Sequence, residues 1–242
     1  MELEIRDVSK HFGGIRALNQ VSLHLSGSQL VGLIGPNGSG KTTLVNTIGG
    51  IYKPNRGQII LDGKDIGRLK PNEVARRGIG RTFQITRAFR RMTVMENMLV
   101  PALAISPEKG RQKMEERARE ILDFLTLDHL RNDYARSLSG GQQKLLELGQ
   151  LLMSDPDLLM LDEPFAGVHP KLMGTIFEYI TTVHAQGKSF IIISHDMSSI
   201  FALSQRLVVL HYGDIIADGL PDVVKEDPRV IEAYLGEEEE GA

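Results

Sequence analysis

The sequence contains no cysteine and no tryptophan, and aromatic residues make up only 5% of its 242 positions. Without cysteine there can be no disulfide framework and no thiolate metal site, which fits a cytosolic setting. Long apolar runs are also missing. No window approaches the ~18 apolar residues that a membrane-spanning helix requires, so work at a membrane needs a partner that spans it. The first residues, Met1-Glu2-Leu3-Glu4-Ile5-Arg6, lack the apolar core of a secretory signal. Nor does charge of one sign dominate: 28 basic and 31 acidic residues leave a net charge of −3. That balance provides no general attraction to nucleic acid or to anionic lipid. Hydrophobic residues, by contrast, reach 41%. A chain of this length and composition can bury a sizeable core, as one large domain or two small ones.

The most informative stretch is Gly35-Pro36-Asn37-Gly38-Ser39-Gly40-Lys41-Thr42-Thr43. It fits G-x-x-x-x-G-K-[ST], the pattern of a phosphate-binding loop. Its setting is right, because the apolar run Leu30–Ile34 before it predicts a strand and Thr43–Ile48 predicts a helix start. Glycines allow the backbone to turn back and aim N–H groups inward. Those groups and the positive end of the helix form an anion cradle. Lys41 supplies a point charge for β- and γ-phosphates, and the Thr42 hydroxyl a ligand for Mg²⁺.

Around this loop the pattern alternates between strand and helix. Leu3, Ile5 and Val8, then Val21, Leu23 and Leu25, predict a small antiparallel sheet, with His11-Phe12-Gly13-Gly14 as a turn between them. Gln58–Leu61 followed by Asp62-Gly63 predicts a strand and a hairpin. Pro71 opens a short helix that Gly78 ends, and Ile79–Gln84 reads as another strand. From 85 to about 152 the pattern is helical. Thr93 caps one helix through Leu103, and Met114, Ala118, Ile121, Leu122 and Leu125 share a face of a second. Leu158–Leu161 and Ser189–Ser194 predict strands covered on both faces, separated by a helix from Pro170 with Leu172, Ile176, Ile180 and Val183 inward. Arg206–His211 and Ile215–Gly219 predict a hairpin, and Pro228–Leu235 a closing helix. Glu237–Glu240 reads as a frayed acidic end, residues 237–242 forming a tail. No repeat or linker divides the chain, so residues 1–242 are expected to form a single domain with a helical insertion at about 85–152.

Two further stretches carry chemistry. Asp162-Glu163 ends the apolar strand, at the edge of the sheet where ligands of α/β folds gather. Burying two adjacent carboxylates is costly, and a phosphate-bound Mg²⁺ gives the reason for it. Asp162 would hold that metal, and Glu163 would orient and deprotonate the attacking water. Leu138-Ser139-Gly140-Gly141-Gln142 contains a capping box, Ser139 with Gln142. Capping does not account for two consecutive glycines, each costing roughly 1 kcal/mol in a helix. They open a second anion site at a helix N-terminus. With two phosphate-facing elements but one Lys–Mg²⁺ set, the second element is expected to serve a nucleotide held by another subunit.

Phosphate loop, Gln84, LSGGQ, the strand ending in Asp162-Glu163, and His195 follow one another in the order found in ATP-binding cassette (ABC) ATPases, and the chain resembles that family throughout. The resemblance implies an α/β P-loop ATPase fold with an N-terminal antiparallel β subdomain, a mixed central sheet and an inserted helical subdomain. It also implies ATP and Mg²⁺ as cofactors and a head-to-tail dimer sandwiching two ATPs. On that basis Phe12 stacks on adenine, and Ser139, Gly140, Gly141 and Gln142 meet the partner's ATP. Gln84 reaches Mg²⁺ and water, and His195 bonds the γ-phosphate. One departure is His169, where the family usually places aspartate in the loop after the catalytic glutamate.

Gly80–Gln84, Phe89–Asn97, Gln143–Leu148 and Asp227–Gly236 are similar to the ATP-binding subunits of branched-chain amino acid importers, although Ser194 stands where that branch usually has glutamate. This implies two ATP-binding subunits, identical or not, at the cytoplasmic face of the membrane. They would dock on two permeases fed by a periplasmic binding protein, with 87–95 helping to form the permease groove. Two alternatives stand beside it: the ATPase of a lipopolysaccharide-extraction system, and a soluble ABC protein acting on nucleic acid or ribosomes. The second usually carries two cassettes, a coiled coil or a zinc insertion, and this chain has none of these and no basic stripe.

Overall fold

Alternating apolar residues at the front of the chain form β1 (Glu2–Phe12) and β2 (Ile15–Ser26), paired antiparallel as expected. In the computed structural model, which describes residues 1–82, 88–105 and 110–240 (the last five as backbone alone), the chain then enters the interior as β3 (Leu30–Ile34). Helix α1 (Lys41–Ile48) follows, and β4 (Arg56–Leu61) and β5 (Lys64–Asp65) complete a four-stranded antiparallel sheet in the order β2-β1-β4-β5. The turn between β4 and β5 has positive φ at both Asp62 and Gly63, the geometry that suits a two-residue hairpin.

Helix α2 (Pro71–Ala75) leads to β6 (Ile79–Arg81). This strand is shorter than predicted, and the expected extension to Gln84 runs beyond the described residues. Three helices follow: α3 (Val94–Ile105), α4 (Arg111–Phe124) and α5 (Gly140–Met153), with two 3-10 turns at Asp128–Leu130 and Ala135–Ser137. The chain returns through β7 (Leu158–Asp162), α6 (Pro170–Ala185), β8 (Ser189–Ile193), α7 (Met197–Leu203), β9 (Arg206–His211) and β10 (Asp214–Gly219). Two helices, α8 (Pro221–Val224) and α9 (Pro228–Glu240), close it. Helix α9 runs through the acidic stretch that was expected to fray, because glutamate is a good helix former.

The second sheet has the order β10-β9-β3-β8-β7-β6, parallel except for the edge strand β10. Strand periodicity divides its side chains between two cores. Leu30, Ile34, Leu159, Leu161, Phe190, Ile192, Leu207 and Val209 face the core containing α3 to α6. Val31, Leu33, Leu158, Met160, Ile191, Ile193, Val208 and Leu210 face the core shared with α1 and the antiparallel sheet. Leu33 pairs with Ile193 and Ile193 with Asp162, so β3, β8 and β7 end at one level. The loops that leave them therefore meet.

The helical insertion is joined by a buried polar knot. Thr93 and Glu96 form a reciprocal capping box at the start of α3. Pro101 lies inside α3 and cannot donate to the carbonyl of Asn97, one turn back. Gln150 of α5 donates to that carbonyl instead, at 3.1 Å. The Asn97 side chain is fully buried and bonds Phe89 N–H at 2.8 Å and Thr93 C=O at 2.8 Å. Asn97→Leu should strand these groups and cost about 2 kcal/mol. Urea denaturation measures it, and a change within the scatter of surface mutants would show that the knot contributes nothing.

Candidate active site

The phosphate loop connects β3 to α1 in the expected strand–loop–helix order. Its fold depends on Gly40, which sits at φ 109°; a Cβ there would lie 2.5 Å from the carbonyl oxygen of Ala17. The loop is thus pressed against β2, the strand of the hairpin that carries Phe12. Lys41 is buried, and its ammonium donates to the carbonyls of Gly35 at 2.6 Å and Pro36 at 2.7 Å. The Ser39 carbonyl accepts from Gly213 N–H at 2.9 Å, tying the loop to the β9–β10 turn.

A cavity of about 210 Å³ opens over this loop, lined by Asn37, Gly38, Ser39, Gly40, Lys41, Thr42, Thr43, Asp162, Glu163, Ile193 and His195. The two carboxylates are only 4% and 7% exposed. Burial pushes the Asp162 carboxyl above the usual aspartate range, with Arg81 and Lys41 opposing the shift. Arg81 Nη2 lies 3.7 Å from Asp162 Oδ2, and its Nη1 donates to Asn46 of α1. The Thr82 hydroxyl accepts from Asp162 N–H at 3.0 Å. Glu163 stands at φ 53°, a left-handed conformation that costs about 1–3 kcal/mol in a residue with a side chain. Its N–H donates to Ile193 C=O at 2.9 Å, and its carboxylate accepts His195 N–H at 3.3 Å. His195 Nε2 lies 3.4 Å from the other carboxylate oxygen.

Asp162 Oδ2 and Glu163 Oε1 are buried without a hydrogen-bond partner. Orphaned carboxylate oxygens beside a threonine hydroxyl and a phosphate cradle are the hard oxygen donors that Mg²⁺ takes. The residues present therefore fit the metal expected from the sequence.

Some predicted residues stand apart from this cavity. Ser139, Gly140, Gly141 and Gln142 do not line it. The Ser139 hydroxyl accepts from Gln142 N–H at 3.3 Å, and Ser139 N–H donates to Gln142 Oε1 at 2.9 Å, so the capping box is closed. The two glycines differ. A Cβ on Gly141 would meet the tip of the Leu172 side chain of α6 at 2.8 Å, so that side chain would have to shift. A Cβ on Gly140 would meet nothing within 4 Å, so the chain's own packing does not require that glycine. Phe12 is half exposed at the end of β1, edge-on to Tyr52 at 4.9 Å, with Lys10 Nζ 5.0 Å from its ring centre. Gln84 lies outside the described residues. His169 takes the N-cap of α6, its Nδ1 accepting from Lys171 N–H at 3.3 Å.

Three contributors were not singled out from the sequence: Arg81, Thr82 and Lys144. The Lys144 ammonium of α5 donates to the main-chain carbonyl of Glu163. Burial lowers its pKa, while Glu147 and the two site carboxylates pull the other way. Arg81 and Thr82 lie in the predicted strand and Lys144 in a stretch noted for resemblance; pairing of β6 with β7, and the approach of α5 to the loop after β7, bring their side chains to the site.

A P-loop strand order, a phosphate cradle and a buried Asp-Glu pair on one cavity define a nucleotide-hydrolysing α/β cassette. The ABC transporter family model matches residues 18–166, and the chain belongs to that family as an ATP-hydrolysing cassette. A second model, for the branched-chain amino acid ATP-binding cassette transporter, matches residues 215–240. The chain is 38% identical to a probable branched-chain amino acid transport ATP-binding protein LivG of Archaeoglobus fulgidus, over 97% of this chain and 95% of that one. It superposes on the ADP conformation of the ATP-binding cassette MJ1267 with TM-score 0.87 and 38% identity, covering 98% of this chain and 99% of that one. It also matches a dimeric post-hydrolysis structure of the cassette MJ0796 bound to ADP and Pi, with TM-score 0.82 and 26% identity, over 90% and 98% of the two chains.

Gly40→Ala should strain the loop against Ala17 and weaken nucleotide binding about 10- to 100-fold. Titration with a fluorescent ATP analogue measures this, and unchanged affinity would remove the loop geometry from the binding argument.

Proposed function

We propose that this chain energises import of branched-chain amino acids, or a related small polar solute, as one of two ATP-binding subunits at the cytoplasmic face of a membrane. The observation that carries the reading is the single cavity joining Lys41 and Thr42 to Asp162, Glu163 and His195. The match at residues 215–240 and the name of the LivG relative favour the amino-acid branch over lipopolysaccharide extraction and over action on nucleic acid.

In this reading the loop amides and Lys41 bind the β- and γ-phosphates of ATP, and Phe12 stacks on the adenine. Thr42 and Asp162, with Gln84, would hold Mg²⁺, which neutralises phosphate charge when bound. Glu163 takes a proton from the attacking water, and His195, braced on Glu163, donates to the γ-phosphate. Ser139–Gln142 meet the nucleotide of a second subunit. Gly140 supports this, because its lack of a side chain leaves the helix end open to a ligand from outside. That the related cassette MJ0796 is dimeric when bound to ADP and Pi supports the presence of a second subunit.

Two cavities that share Arg81, Leu151 and Ser154 supply a groove for a permease segment. One, of about 230 Å³, is lined by the half-exposed Phe89 with Val100, Pro101 and Glu147. The other, of about 570 Å³, is lined mainly by apolar groups including Ile51, Pro71, Ala75 and Met160. Among the described residues no helix is long and apolar enough to cross a membrane. In this reading the permeases translocate the solute and a periplasmic binding protein delivers it. Arg87, also expected at this groove, lies outside the described residues.

Glu163→Gln should keep ATP bound and favour the closed dimer while steady-state hydrolysis falls about 100-fold or more. Phosphate release and gel filtration with Mg²⁺-ATP read the two effects, and wild-type turnover in the variant would remove Glu163 from the chemistry. Membrane pull-down with mass spectrometry identifies the permeases. Recovery of ribosomes or nucleic acid instead would overturn the import reading.

A further inference from the structure

Helix α5 begins at the Ser139–Gln142 capping box, and just past it Lys144 extends a half-buried side chain to the loop after β7. Its ammonium donates to the main-chain carbonyl of Glu163. That carbonyl belongs to the peptide joining Glu163 to Pro164, in a residue already held at positive φ. The other bonds that fix Glu163 come from β8 and the turn that follows it: its N–H reaches Ile193 C=O, and its carboxylate accepts His195 N–H. Ala166 N–H, in the adjoining loop, shares the same carbonyl at 3.3 Å. Lys144 is thus the contact that reaches this strained residue from the helical insertion. Half-burying an ammonium is costly, and the negative charge of Glu147, Glu163 and Asp162 offsets that cost only in part.

Resting on the head-to-tail reading above, we propose that Lys144 is a positioning residue that locks the signature helix to the catalytic Glu163 of the same chain. The N-terminus of α5 faces the nucleotide held by the partner, whereas Glu163 faces the nucleotide held by its own phosphate loop. A rigid tie between them makes the carboxylate at one site respond to occupancy of the other. The two sites are then coupled through a lysine and a peptide carbonyl. His169 lies in the same loop that leaves Glu163 and caps α6, so it steadies the far end of that loop without touching α5 through its cap bond.

Lys144→Met keeps the aliphatic stem and removes the donor, Lys144→Arg keeps a cationic donor, and Lys144→Gln keeps a neutral donor on a shorter stem. ATP hydrolysis as a function of ATP concentration, binding of a fluorescent ATP analogue and melting temperature are measured for the purified wild-type chain and all three variants. Lys144→Met should bind nucleotide and melt like wild type, lose about tenfold in kcat with KM little changed, and turn a sigmoidal ATP dependence hyperbolic. Lys144→Arg should restore both rate and sigmoidality, with Lys144→Gln between. Unaltered kcat and cooperativity in Lys144→Met would overturn the inference. So would a loss of rate that tracks loss of melting temperature and nucleotide affinity across Lys144→Met and Lys144→Gln, since that marks a purely structural lysine. A wild-type chain that hydrolyses no ATP, alone or with its permeases, would overturn the dimer reading and this inference with it. Wild-type turnover indifferent to position 144 would overturn the inference alone.

Discussion

Asp162 and Glu163 are held out of water beside a loop shaped to receive further negative charge. Three anionic demands in one cavity are tolerable only if cationic charge is brought to them. The chain supplies part of it: Lys41 folds back on its own loop, Arg81 lies 3.7 Å from Asp162, and Lys144 reaches the Glu163 carbonyl. Two carboxylate oxygens nevertheless remain buried and unbonded. These two acceptors are the ones the proposed Mg²⁺ and nucleotide would draw on. The same argument explains why the pair sits at the end of a strand covered on both faces. A dry wall strengthens every charge interaction in the cavity.

The sheet makes that crowding possible. Parallel pairing of β3, β8 and β7 in register brings the phosphate loop, the carboxylates and the histidine to one edge. Alternation along each strand feeds two separate cores, one beneath the helical insertion and one beneath the antiparallel sheet. The site lies at the seam between them. It receives the phosphate loop from one side and, through Lys144, the signature helix from the other. A cassette that must answer both to a nucleotide and to a neighbouring subunit gains from this placement, because rigid elements on either side of the seam bear on the same carboxylate.

Special backbone geometry concentrates at these junctions. Gly40 stands where the loop touches β2, Glu163 where the strand gives way to the loop leading to α6, and Tyr212 beside the turn that donates to Ser39. Pro101 inside α3 is a related case, since its missing donor is made good by Gln150 from the neighbouring helix. At Glu163 and Pro101 local preference is overridden, and bonds from other elements hold the result in place.

Strand and helix positions, the phosphate loop, the Asp-Glu pair and the signature capping box could all be read from the sequence, because each is a short-range pattern of sterics, periodicity or hydrogen bonding. The helix inside the acidic C-terminal stretch could not, since charge and helix propensity point opposite ways there. Neither could the difference between Gly140 and Gly141: both leave the same gap in a motif, and only Leu172, brought in by α6, distinguishes them. Arg81, Thr82 and Lys144 look like ordinary polar residues in one dimension. Their roles depend on which strand end or helix face lies opposite, a matter of long-range pairing that local pattern does not encode. The sequence by itself determined the chemistry the chain can support; tertiary structure alone decided which side chains share a dry cavity, because burial and charge compensation exist only between segments far apart along the chain.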